Sequence, residues 1–245
     1  MKTIITPADR NTHVRSTTRT RSRMAALAAG ICYLLTFILV PTFALYAPVR
    51  DPNYMVGSGP DNPVIFGSVL EIIVALAGIG TAVALYPVVK RQSEGYALGF
   101  VGSRTLEAAT IFGGVVCLMT MVTLRQSGVG ADGLVTGRAL LAMYDWFHLG
   151  QALMPAVNAI LLGSLLYRAR LVPRILPTLG FIAAPMLVAH VVALMFGVTG
   201  PLLTLTTLGV IPVAVWEFSL GVYLTVKGFK PTALTAEYDN REPAR

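Results

Sequence analysis

The chain reads as an all-α protein, a polytopic membrane bundle of six transmembrane helices with both termini in the cytoplasm. Composition is the first reason: of 245 residues, 55% are apolar and only 13% charged, where a soluble domain carries about a quarter charged residues. Mean hydropathy is +0.68. The second reason is length, because six apolar stretches each meet the roughly 20 helical residues that a bilayer core requires. The third is where the basic residues fall.

The stretches are Met24–Tyr46, Val64–Val89, Tyr96–Leu124, Ala139–Tyr167, Ile175–Val198 and Leu202–Val226. The first follows a basic segment, as a signal peptide would, but its 23 residues exceed the roughly 7–15 of a signal core, so an uncleaved helix is expected. Fifteen of the 19 lysines and arginines lie before the first stretch, after the second and fourth, or beyond the sixth, whereas Arg50, Arg125 and Arg138 lie on the other side. The positive-inside rule then puts both termini in the cytoplasm. The net charge of +7 is thereby explained as topology, with attraction to anionic lipid. No recognition motif accompanies it, so no nucleic-acid partner is expected.

Residues 1–23 lack apolar periodicity and are expected to be a disordered basic tail, with the membrane domain over 24–230 and a flexible tail over 231–245. The longer connections, Ala47–Pro63 and Arg125–Arg138, carry prolines and glycines and fall on the outer side. Tyr46, Tyr86, Tyr144, Trp146, Tyr167 and Tyr223 stand near span ends, where an aromatic belt is expected. Cys32 and Cys117 differ in depth by roughly 10 Å at 1.5 Å per residue, too far for a disulfide. Gly78, Gly80, Gly113 and Gly114 read as close helix contacts. Pro155, Pro185 and Pro212 are expected to interrupt the last three spans, each freeing a carbonyl four residues earlier.

With the spans placed, the chain resembles a bacterial membrane family, domain of unknown function 4386. The likeness rests on "DPNYMVGSG", "LEIIVALAGIGTAVALYPVVKRQSEGYALGFVGSRTLEAA", "VTLRQ", "NAILLGSLLYRARLVPRILPTLG" and "IPVAVWEFSLGVYLTVKGFKP". It runs from about Met24 to Pro231. The resemblance implies a six-span helical protein of the bacterial cell membrane and brings no catalytic residues with it.

Function has to be read from the polar residues inside the spans. A charge at the centre of a membrane helix costs about 2.5–3.5 kcal/mol on insertion scales, so Glu71, Arg104, Glu107, Asp145 and Glu217 must be paired, protonated or hydrated. Arg104 and Glu107, three residues apart, share a helical face. Glu217 on the last span reaches a similar depth and is expected to complete an intramembrane polar cluster, with Glu71 as an outer relay. A second group lies nearer the outer surface: Glu71, Asp145, His148 and His190. These are candidate ligands for a metal and candidate members of a proton relay, and the two histidines alone are candidates for a haem.

No Walker loop, HExxH, CxxC, GxSxG or dinucleotide fingerprint is present, and each of those would be needed for its own chemistry. No cofactor is otherwise implied. Three readings follow: a protein that binds or moves a small solute, ion or proton, an intramembrane metal or haem enzyme, and a scaffold whose polar core only specifies packing. The first is favoured, with the lipid bilayer and a small solute as partners.

Overall fold

The computed structural model describes residues 7–200 and 208–240, with side chains from 21 onward. The described residues contain helices and turns and no strand. The helices are α1 (Pro7–Thr36), α2 (Leu39–Leu45), α3 (Asn62–Val89), α4 (Glu94–Gln126), α5 (Gly133–Ala169), α6 (Ile175–Met195), α7 (Val210–Val226) and α8 (Ala233–Asn240). Five segments are long and apolar enough to cross a bilayer: Arg21–Leu45, Asn62–Val89, Glu94–Gln126, Gly130–Ala169 and Ile175–Met195. The sixth expected span is represented by α7, a shorter apolar helix. Its expected first residues, 202–207, lie outside the described residues.

The helices close into a ring in chain order. Neighbours pack as α1 on α3, α3 on α4, α4 on α5, α5 on α6 and α6 on α7, and α7 returns to α1. Short connections between long apolar helices favour this antiparallel arrangement. Because lipid is as apolar as leucine, close packing and polar contacts hold such a ring together. Its largest buried cluster joins Tyr33, Leu85, Phe100, Leu162, Trp216 and Leu220. A smaller one at the other end joins Tyr46, Tyr54, Met55, Leu118, Met121 and Tyr144.

The first span is two helices rather than one. Pro41 has no N–H to give the Phe37 carbonyl, and the chain instead closes tighter bonds, Phe37 N–H to Leu34 O at 3.2 Å and Ile38 N–H to Leu35 O at 3.1 Å. Pro155 and Pro185 lie inside α5 and α6, which continue through them instead of being interrupted. Pro212 does not interrupt a described helix: α7 begins at Val210, so Pro212 sits in its first turn, where a missing N–H is harmless. The Leu208 carbonyl expected to be freed accepts the Ile211 N–H at 3.3 Å.

At the end bearing the start of Arg21–Leu45, the Arg23 guanidinium caps α7. It donates to the carbonyls of Leu224 at 3.0 Å, Thr225 at 2.7 Å and Val226 at 3.2 Å, the carbonyls that a helix C-terminus leaves without partners. The segments expected as tails are partly helical. α1 begins at Pro7, and α8 docks back on the bundle instead of hanging free. Asp239 accepts from Ser22 N at 3.0 Å and Ser22 Oγ at 2.9 Å, Glu237 pairs with Arg91 at 2.8 Å, and Leu234 and Tyr238 pack on the main core. An eight-residue helix is too short to show periodicity, and its partners lie far away in sequence.

At the other end, Asp61 ties the 46–61 connection to α4. It accepts from Arg125 Nε at 2.8 Å, Gln126 Nε2 at 3.0 Å and Tyr54 Oη at 2.7 Å, and it forms an ion pair with Arg125 Nη2. Burial alone would raise the Asp61 pKa, but the hydrogen bonds from Arg125, Gln126 and Tyr54 outweigh it and hold the carboxyl below its ordinary range. A lowered folded pKa means the tie contributes fully above the unfolded value of about 4 and is lost as pH falls through the folded one. Hydrogen exchange of the 51–57 amides, corrected for the intrinsic pH dependence of amide exchange, should therefore stay slow above about pH 5 and quicken on acidification below about pH 4. Arg125→Ala should quicken it already at neutral pH. Protection indifferent to both would show that the tie does not hold this loop.

Candidate functional site

Arg104 stands a third of the way along α4, and its side chain is 1% exposed. The helix places Phe100 one turn before it and Glu107 nearly one turn after it. The guanidinium lies 4.9 Å from the Tyr33 ring of α1 and 5.8 Å from the Phe100 ring, within range of cation–π attraction. Nη1 donates to Glu107 Oε2 at 2.9 Å, and Nη2 donates to Glu217 Oε1 at 2.8 Å. Asn158 Nδ2 of α5 donates to the same Glu107 oxygen at 3.0 Å. The expected Arg104–Glu107–Glu217 cluster is thus formed, and it joins α4, α5 and α7, with α1 against one face.

Charge is unbalanced there. One guanidinium meets two carboxyl groups, so a negative charge remains unless a proton or another cation meets it. Only some of the hydrogen-bonding capacity is used, because Arg104 Nε, Tyr33 Oη and Asn158 Oδ1 are buried without partners. The second oxygens of the glutamates, Glu107 Oε1 and Glu217 Oε2, also accept no hydrogen bond among the described residues.

Those two carboxyl groups line a cavity of about 400 Å³. The glutamate side chains are 12% and 11% exposed, against 1% for the arginine, so the acids face the cavity and the base stands behind them. All six spans contribute lining residues, among them Phe37 and Phe43 beside the α1–α2 break, Val74, Pro155, Leu187 and Val213. Asp145, His148, Gln151 and His190 also line it. Apart from Glu71, the two groups of polar residues, expected at separate depths, therefore open onto one space.

Glu71 does not join the Arg104 cluster. It is 2% exposed, and its hydrogen bond comes from Tyr144 Oη at 3.4 Å. Tyr144 in turn packs edge-on to Tyr46 at 5.6 Å. These two tyrosines, expected in the interfacial belt, are buried: each turns inward to surround a carboxyl with no basic neighbour. Trp146 does point outward, at 59% exposure.

The four candidate metal ligands do not assemble either. Asp145 is drawn outward to Arg50 at 2.7 Å, with both side chains about half exposed, and Glu71 is turned to Tyr144. His148 stacks on Tyr144 and meets Phe43 edge-on at 5.5 Å, with Nδ1 buried and unpartnered. Among the described residues, no group of three or more histidine, cysteine, aspartate or glutamate side chains is placed to hold a metal ion.

Sequence reasoning missed Tyr33 under the guanidinium and Asn158 on Glu107. Asn158 is visible as an amide in an apolar span, but its partner Glu107 lies on another helix, which no local spacing announces. Gln151 belongs to the cavity in the same way.

The family model described as Domain of unknown function (DUF4386) matches residues 28–228, and the chain belongs to that family. No curated protein and no solved structure matches it.

Proposed function

We propose that this protein spans the bacterial cell membrane with both termini cytoplasmic and binds or moves a small solute or ion, with proton linkage, through its polar core. One observation carries the reading: two carboxyl groups share a single arginine while both face a cavity. The arginine neutralises one of them, and the other exchanges a proton for a cation or releases it as the cavity changes its contents. Ionisable groups facing a cavity inside a membrane are the usual makings of such a path. Glu107 and Glu217 are the titrating groups in this proposal, and Arg104 is their fixed counter-ion.

Proteoliposomes carrying a pH-sensitive dye and an imposed potassium diffusion potential test this. Wild-type protein should carry protons several-fold faster than protein-free vesicles, and Glu217→Gln should fall to background while inserting and melting as wild type does. The scaffold reading is favoured by the same contacts, since they tie three helices together. It predicts the opposite pattern: lower stability in Glu217→Gln, with no protein-dependent flux to lose.

A further inference from the structure

The walls and the floor of the cavity differ in chemistry. Aromatic and aliphatic side chains such as Phe37, Leu39, Phe43, Leu187 and Val213 form the walls. The floor carries Glu107 and Glu217, each with one carboxyl oxygen engaged and the other without a hydrogen bond among the described residues. Gln151, 7% exposed, also lines the cavity, with its side-chain amide engaged by the neighbouring His148. A side-chain amide has two donors and two acceptor lone pairs, so one contact with His148 leaves it capacity for a ligand's polar group.

We infer that the cavity is a binding site for a monovalent organic cation: a primary or secondary amine carrying a compact apolar or aromatic body. Its ammonium group donates hydrogen bonds to Glu107 Oε1, Glu217 Oε2 and the Gln151 carbonyl oxygen, and its body fills the apolar walls. The charge matches, since the ammonium supplies the one positive charge that Arg104 leaves unmet. Anions are disfavoured for the same reason. The size matches as well, because about 400 Å³ lies toward the small end of the roughly 300–1,000 Å³ common for small-molecule sites. The inference rests on the reading of this cavity as the solute site and names the class of solute.

Equilibrium binding of radiolabelled 2-phenylethylamine to the detergent-purified full chain tests it. Saturable binding at one site per chain is expected, with 2-phenylethanol and 3-phenylpropanoate competing at least tenfold more weakly than unlabelled amine. Glu217→Gln should weaken amine binding tenfold or more. Gln151→Leu, which leaves the Arg104 cluster intact, should weaken it several-fold with cooperative melting retained. Ala214→Phe, placed in the cavity wall one turn from Glu217, should abolish it, and the outward-facing Trp146→Phe should leave it unchanged.

Absence of saturable amine binding by cooperatively melting wild-type protein would overturn the inference. So would an alcohol that binds as well as the amine, or binding that survives both Glu217→Gln and Ala214→Phe. Glutamate-dependent proton flux without amine binding would sink the amine and leave the proton-linked reading standing. Amine binding without flux would do the reverse.

Discussion

Arg104→Met should remove most of the folded protein from the membrane, with a loss of about 3–5 kcal/mol, the range for breaking a buried charge pair by deleting one partner. The cost arises from what remains. Glu107 and Glu217 would keep their positions at the cavity floor without the guanidinium that now stands 2.9 and 2.8 Å from them. Arg104→Lys should recover only part of the loss, because a compact ammonium lacks the planar fork that reaches two acceptors at once. Arg104→Met combined with Glu107→Gln and Glu217→Gln should restore most of the stability, since replacing a buried ionic group whole is often close to neutral. The triple variant should nonetheless carry no protons. Yield and thermal unfolding in detergent read the first effect, and the vesicle assay reads the second. A methionine variant as stable as wild type would mean that the cluster contributes nothing to the fold.

That experiment concerns the part of the site that the chain declares most openly. Arg104 and Glu107 share a helix face by spacing alone, and Glu217 meets them because antiparallel spans of similar length put it at their depth. Hydropathy and charge placement carry no information about direction around a helix, and most of what stayed hidden is directional. Tyr46 and Tyr144 read as belt residues, whether they turn to lipid or inward to Glu71. Asp145 and His148 share a helix face, yet Arg50, in a connection far away in sequence, holds Asp145 outward. The docking of α8 likewise depends on Ser22 and Arg91, partners that no local pattern announces. Pro41 is a readable signal for the broken first span, because a proline inside an apolar run removes a helical hydrogen bond wherever it occurs.

Gly80, Gly113 and Gly114 do stand at close helix contacts, where a Cβ would come 2.8, 2.6 and 3.2 Å from a side chain of a neighbouring helix, and the two extreme cases, Gly78 and Gly30, give the sharpest test of the ring's closure. Gly78 was expected to mark a tight contact, but a Cβ there would meet nothing within 4 Å. Gly30 lies where α1 crosses α7. A Cβ on Gly30 would lie 2.6 Å from Thr225 N and 2.8 Å from Gly221 O, and closer still to Thr225 Oγ1. Two of those three atoms are backbone, so no rotamer change relieves the overlap and the helices must part. Gly30→Ala should therefore cost about 3 kcal/mol, the upper part of the usual range for overpacking. Thr225→Ala should fail to rescue it. Gly80→Ala is the instructive contrast, because its nearest atom is Cys32 Sγ at 2.8 Å, a side-chain end that can move. Its cost should be smaller, and Cys32→Ala should remove it. Gly78→Ala should be neutral or gain up to about 1 kcal/mol from helix propensity. The Gly30 substitution should also reach the site. Glu217 lies one turn from Gly221 on α7, and Gly221 packs against Tyr33, whose ring faces the Arg104 guanidinium. Separating α1 from α7 draws Glu217 and Tyr33 apart, so whatever protein remains folded should carry protons more slowly than wild type. Equal melting temperatures for the Gly30 and Gly78 variants would mean that α7 does not close the ring against α1 at this crossing.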